Sequence, residues 1–129
     1  DTIIKLDADT LFPFDDWKLK PEANSREYLP LKKAAATIRS MLHKSNDRVI
    51  VNGYTDDVGG VDYNQHLSEQ RAETVRDWLV QYGDIPRSNI ISQGFGKSRA
   101  QGKDTAGRAK DRRVEIWGPK HGSVEKVCW

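Results

Sequence analysis

The stretch RVIVNGYTDDVGGVDYNQHLSEQRAETVRDWL, Arg48 to Leu79, holds a strand, a turn and a helix in that order. Arg48-Val49-Ile50-Val51-Asn52-Gly53-Tyr54-Thr55 is β-branched and bounded by turn-forming residues, which predicts a strand. Asp56 to Asp62 carries two glycines suited to left-handed backbone and reads as a loop. Ala72, Val75 and Leu79 then recur at helical spacing, with Trp78 and Tyr82 flanking them. Asn64 or Ser68 is placed to cap this helix at its start and Gly83 to close it.

Upstream, Leu31, Ala34, Ala35, Ile38, Met41 and Leu42 recur at three- and four-residue spacing and predict an amphipathic helix ended by Ser45-Asn46-Asp47. Ile3 to Leu6 reads as a short strand, with Leu11, Phe12 and Phe14 continuing extended after a turn, and Asp15 to Pro21 as loop. Downstream, Asn89 to Gly94 predicts a third strand and the polar, glycine-containing segment Lys97 to Lys110 a loop. Arg113-Val114-Glu115-Ile116-Trp117 alternates and predicts a last strand, stopped by Gly118-Pro119. The β-α-β-α-β-β order predicts an α/β two-layer sandwich, a mixed sheet packed against helices. It forms one domain over residues 1–119, followed by a weakly ordered tail over 120–129.

Length and charge narrow the classes. A chain of 129 residues has room for one domain with a core of its own. Its 21 Lys and Arg against 19 Asp and Glu leave a net charge of +2, which lacks the basic excess of a dedicated nucleic-acid binder. Cys128 is the single cysteine, so no internal disulfide forms, and its place near the C-terminus suits a tail better than a site. No apolar run is long enough to span a bilayer and no basic-then-apolar leader opens the chain. A domain cut from a longer protein would look like this, with any membrane attachment made by the missing part.

Several catalytic and metal motifs fail on inspection. Gly96-Lys97-Ser98 resembles the end of a phosphate-binding loop, but Ile91 stands where that loop needs glycine. The run from Asp56 to Asp62 lacks the alternating ligands and closing Glu of a calcium loop. His43, His66 and His121 are too scattered for a zinc site, and no GxSxG elbow supports a serine nucleophile. Neither a cofactor nor a metal is implied, and a hydrolase is a weak reading.

Two charged constellations remain. Asp56 follows a strand directly, which places its carboxylate at the strand's C-terminal edge, where open α/β sheets bind ligands. Arg71 lies fifteen positions on, near the expected start of the helix. A carboxylate and a guanidinium facing one cleft can clamp a zwitterion, the acid taking an ammonium and the arginine fork a carboxylate. A plain Asp56–Arg71 salt bridge, or Asp56 capping a turn, is the commoner arrangement on chemistry alone. The second constellation is Asp111-Arg112-Arg113-Val114-Glu115-Ile116. Arg112 marks the strand entry and Arg113 shares a face with Glu115, opposite Val114 and Ile116. The pair either adds anion contacts or forms a solvated strand end.

The pattern GYTDxxGxxxYNxxLSxxRAxxVxxxL, Gly53 to Leu79, resembles the central motif of the OmpA-like C-terminal domain family, the OmpA, Pal and MotB group. Further similarity follows in order: LFPFD with LKPEA (Leu11–Asp15, Leu19–Ala23), IPRSNI (Ile85–Ile90), GFGKS (Gly94–Ser98), TAGRAK (Thr105–Lys110) and the closing DRRVEI. It covers roughly Leu6 to Trp117. The resemblance implies non-covalent binding of peptidoglycan through the diaminopimelate of its stem peptide. The parent would be an outer-membrane or other envelope-anchored protein, and the domain would lie in the periplasm. It implies Asp56 as ammonium acceptor and Arg71 as carboxylate clamp, with Thr55, Asn64, Leu67, Ser68, Arg112 and Arg113 completing the ligand-binding set. Asp111 stands where the family commonly has Asn. Pro13 departs more sharply, since proline has no amide hydrogen to offer a ligand. The alternative is a periplasmic protein–protein interaction domain that has lost wall binding.

Overall fold

The computed structural model describes residues 2–121. Strands β1 (Thr2–Asp7), β2 (Asp47–Tyr54), β3 (Ile90–Gly94) and β4 (Arg113–His121) form one mixed sheet in the order β1-β4-β2-β3. β4 runs antiparallel to β1 and to β2, whereas β2 and β3 are parallel. A parallel pair needs a long crossover, and α3 (Val61–Tyr82) supplies it. Helices α1 (Ala8–Leu11), α2 (Leu29–Met41) and α4 (Thr105–Asp111) complete the α/β sandwich, with a 3-10 turn at Arg87–Asn89. No helix among the described residues is long and apolar enough to cross a membrane.

The two-residue alternation of β2 sends Val49 and Val51 into the core. There, with Val114 and Ile116 of β4, they meet Leu31, Ala34, Ala35 and Ile38 of α2 and Ala72, Val75 and Leu79 of α3. Proline in the first turn of α2 costs no hydrogen bond, so Pro30 suits its start. Gly53 ends the inward row of β2 because α3 lies against the strand there. A Cβ at Gly53 would fall 2.1 Å from the carbonyl oxygen of Ser68. That neighbour is helix backbone and cannot turn aside. Gly53→Ala is therefore expected to destabilise the fold by about 1–3 kcal/mol, read as a Tm lowered by roughly 4–8 °C per kcal/mol. An unchanged Tm would show that α3 and β2 separate freely.

The structure departs from the sequence expectation at five places. Leu11 closes the one-turn helix α1 instead of extending β1, because the Asp7 carboxylate caps it, accepting from the Asp9 amide (3.2 Å) and the Thr10 hydroxyl (2.8 Å). α3 begins at Val61 with Gly60 as its cap, so Asn64 and Ser68 lie inside the helix. Gly59 alone of the two loop glycines is left-handed, at φ 98°. The expected loop before β4 contains α4, capped by Asp104 accepting from the Gly107 amide at 2.7 Å. β4 does not stop at Gly118-Pro119. The β2–β4 register slips between Arg48 and Ile50, which pair with Lys120 and Trp117, so a bulge absorbs the extra residue and spares the proline a ladder bond. β4 thereby takes in Lys120 and His121, assigned above to the tail. The rest of that tail, Gly122 to Trp129 with Cys128, lies outside the described residues.

Candidate functional site

Beyond the C-terminal end of β2 the backbone turns away from the sheet, and the Asp56 side chain holds the turn. Its Oδ1 accepts from the Val58 amide at 3.0 Å. Three more contacts fasten the loop. Asn64 Nδ2 donates to the Val58 carbonyl (2.8 Å), Lys97 Nζ to the Gly59 carbonyl (2.7 Å), and Arg108 Nε to Asp57 Oδ1 (2.7 Å). The Arg108 hydrogen bond holds the Asp57 carboxyl below the usual carboxylate range. A loop tied at four points enters binding already shaped, which limits the entropy lost to a ligand.

This loop forms one wall of a cleft of about 550 Å³. α3 provides the floor with Asn64, Leu67 and Arg71, and the segment after α1 provides the opposite wall with Phe14 and Asp15. Thr105 and Arg108 of α4 and Arg112 at the entry to β4 close the far side. The lining carries three carboxylates, Asp9, Asp15 and Asp56, and three guanidiniums, Arg71, Arg108 and Arg112. A balanced lining suits a ligand bearing both signs of charge better than a simple anion.

Arg71 is 4% exposed, eleventh in α3 and well inside it, where the sequence places it near the start. Its Nε donates to the Asp16 carbonyl at 2.8 Å, and its guanidinium carbon sits 5.1 Å from the centre of the Phe12 ring. Burial pushes its pKa down, opposed by the nearby charges of Asp9 and Asp15. Among the described residues Nη1 and Nη2 have no hydrogen-bond acceptor in the protein, so the two parallel donors that fit a carboxylate stand unused.

Asp56 and Arg71 line the same cleft without forming a salt bridge. Asp56 Oδ2 accepts instead from Arg112 Nη1 at 2.7 Å. Arg112 also makes a two-pronged contact with Asp9, with Nε to Oδ1 and Nη2 to Oδ2 both at 2.9 Å. The hydrogen bonds from Arg112 hold Asp9 below the usual carboxylate range, and those to Asp9 and Asp56 raise Arg112. An ionised carboxylate has about four acceptor positions, so Asp56 retains capacity for an incoming cation.

Of the residues singled out in the sequence, Thr55, Asp56, Asn64, Leu67, Arg71 and Arg112 share the cleft lining, and Ser68 and Arg113 do not. Ser68 is fully buried. Its hydroxyl donates to the Gln65 carbonyl (2.8 Å) and accepts from the Gly96 amide (2.9 Å), fastening α3 to the turn after β3. Arg113 points to the other side of the sheet, because neighbours on a strand face opposite ways. There it bonds Glu115 at 2.5 Å and lies 4.0 Å from the Tyr54 ring centre. A larger hollow of about 960 Å³ opens on that side, where Arg113 and Glu115 already satisfy one another.

Asp9, Tyr63 and Arg108 complete the cleft and escape sequence reasoning. Asp9 meets Arg112 across 103 positions of chain, a pairing that no local pattern signals. Arg108 lies in the segment read as loop, although Asp104 three residues before Gly107 is a helix-cap signal. Tyr63 stands inside the central motif beside Asn64. Phe14, just after Pro13, is 92% exposed at the cleft rim, so that loop contributes an apolar side chain rather than an amide. Among the described residues no group of three or more His, Cys, Asp or Glu side chains is placed to hold a metal.

Comparison with known proteins places this geometry. The chain is 39% identical over 108 residues to the putative lipoprotein YfiB of Escherichia coli, covering 82% of this chain and 63% of that one. It is 40% identical over 124 residues to outer membrane protein A of Serratia marcescens, covering 86% of this chain and 33% of that protein. The chain thus spans less than two thirds of these relatives. Among solved structures, the periplasmic domain of Helicobacter pylori MotB superposes with a TM-score of 0.70 at 27% identity, covering 88% of this chain and 78% of that one. The cell wall anchor of the type VI secretion system from Pseudomonas aeruginosa superposes at 0.64 with 27% identity, covering 87% and 76%. The family model for OmpA matches residues 11–114, and the chain belongs to the OmpA family.

Proposed function

We propose that this domain holds peptidoglycan without covalent chemistry, by gripping the zwitterionic end of diaminopimelate in the cleft between Asp56 and Arg71. The supporting observation is the pair of unused Nη donors on a buried Arg71, facing a cleft whose other wall carries Asp56. The guanidinium fork takes the ligand carboxylate through two parallel hydrogen bonds. Asp56 takes the ammonium on the same ligand carbon, using acceptor positions left by Val58 and Arg112. Thr55 and Asn64 hold the wall that presents Asp56, and Leu67 lies under the aliphatic part of the ligand. Arg112 orients Asp56, while Ser68 and Arg113 support the fold from outside the cleft.

The names of the relatives agree with this reading. One neighbour is described as a cell wall anchor, and the relatives include a lipoprotein and outer-membrane proteins. On this reading the domain is an anchoring module of an envelope protein, working in the periplasm and not as an enzyme. Exposed Phe14, Val58 and Tyr63 around the cleft favour one second reading, a protein partner seated on the same rim. Sedimentation with purified peptidoglycan separates the two. The domain is expected in the pellet and is released by millimolar free diaminopimelate but not by Nα-acetyl-lysine amide, which has an ammonium but no carboxylate beside it. A domain left in the supernatant, or pelleted equally with either competitor present, defeats the proposal.

A further inference from the structure

Helix α3 carries more than the clamp. Arg71, Thr74, Trp78 and Gln81 recur at three- and four-residue spacing and so lie along one side of the helix. Below Arg71 this side borders a groove of about 460 Å³, floored by Trp17, Leu19, Trp78 and Tyr82 and edged by the amides of Asn24 and Gln81. Trp17 is 40% exposed, an indole held at the surface where water covers part of it. Trp78, by contrast, is buried, with its Nε1 donating to the Ser25 carbonyl at 3.2 Å. Among the described residues the side-chain amides of Asn24 and Gln81 have no protein hydrogen bond.

The groove adjoins the cleft across one loop. Asp16 offers its carbonyl to Arg71, and the next residue, Trp17, offers its carbonyl to the Thr74 hydroxyl at 2.7 Å. One short loop is therefore laid across α3, with the clamp on one side of it and the groove on the other. Arg71 and Trp78 are seven residues apart, about 10 Å along the helix.

We propose that this groove is a sugar subsite, which takes a pyranose of the same polymer whose stem peptide enters the clamp. The inference rests on the peptidoglycan reading above. The C–H face of a pyranose ring packs on an indole, and its hydroxyl and acetamido groups need amide partners at the edge. Trp17, Asn24 and Gln81 provide both. The reach also agrees, since three extended residues of a stem peptide cover roughly 10 Å between the sugar and the zwitterion. Of the two charged residues in the lining, Asp77 is paired with Arg76 at 3.1 Å and Arg87 at 3.6 Å, and Lys18 offers an ammonium that can donate to a sugar oxygen.

The test compares two ligands by calorimetry, a diaminopimelate-containing stem peptide alone and the same peptide carrying its disaccharide. The full chain is expected to bind the disaccharide form about 3- to 10-fold more tightly, the contribution of one aromatic contact. In Trp17→Ala and separately in Gln81→Ala that advantage falls toward 1, while affinity for the bare peptide is retained. Equal affinity of the full chain for both ligands overturns the subsite and leaves the clamp standing. A Trp17→Ala variant that weakens both ligands alike also overturns it, because Trp17 then serves only to place the Asp16 loop. Binding of neither ligand by the full chain defeats the peptidoglycan reading itself.

Discussion

Arg71→Met is expected to weaken binding of a diaminopimelate stem peptide by about 2–5 kcal/mol, roughly 30- to 5,000-fold in Kd, with the fold intact. Methionine keeps the unbranched apolar stem on Phe12 but removes every donor. The large loss follows from burial, since Arg71 is 4% exposed and a ligand carboxylate there is cut off from water. Without the fork that carboxylate would be desolvated and unpaired. The small effect on stability has the same origin. The isolated chain already bears the cost of burying this cation, offset by one hydrogen bond to the Asp16 carbonyl and the charges of Asp9 and Asp15. Replacing a buried charge by an apolar side chain of similar length is often neutral or stabilising. Calorimetry and thermal melts check the two halves, and a variant that loses binding only by unfolding contradicts the argument.

Asp56→Asn acts on the other charge of the ligand. The amide keeps one oxygen for the Val58 turn, so the loop closes as before. The other atom becomes an NH2 group facing Arg112 Nη1, donor against donor, where the carboxylate accepts at 2.7 Å. Arg112 retains its two bonds to Asp9 and stays in place. The ligand ammonium loses a charged acceptor, which costs about 1.5–3 kcal/mol, roughly 10- to 150-fold in Kd. Titration of the stem peptide against wild type and variant measures this. An Asp56→Asn variant that binds as tightly as wild type would move the ammonium to Asp9 or Asp15.

The framework of the fold is legible in the sequence because apolar residues mark it. β2, β4 and α2 follow their alternation or helical spacing closely. α3 is a different case. Its inward stripe runs Asn64, Leu67, Ser68, Arg71, Ala72, Val75, Trp78 and Leu79, without a break in helical spacing. Hydrophobicity shows the stripe only from Ala72 onward, since three of its first four members are polar. Those polar residues are buried for what they bond or bind, which hides the first eleven residues of the helix from a pattern built on apolar faces. α4 is hidden similarly, being seven residues long with a glycine in its middle.

The site is legible to the same partial extent. The resemblance to the family brings Asp56 and Arg71 together in one cleft, and the structure places them there. It does not reveal that they stay apart, each held by a different partner. Asp56 is turned to Arg112 and Arg71 to the Asp16 carbonyl. Those partners come from the two ends of the chain, and only the folded sheet, with β1 beside β4, brings them to the cleft. The ion pair that charge chemistry favours is thus replaced by two half-satisfied groups, an arrangement suited to a ligand carrying both charges. Ser68 and Arg113, adjacent to true cleft residues in sequence, belong by the geometry of helix and strand to other surfaces.

The most direct test is an amide-resolved NMR titration of the domain with a diaminopimelate-containing stem peptide. Binding in the proposed clamp shifts the amides of Thr55 to Asn64, Arg71 and the Asp15–Trp17 loop saturably, and the Arg71 Nη signals move with them. A lysine-containing stem of the same length leaves them in place. Absence of shifts, or shifts confined to the opposite face around Tyr54, Arg113 and Trp117, would contradict the account.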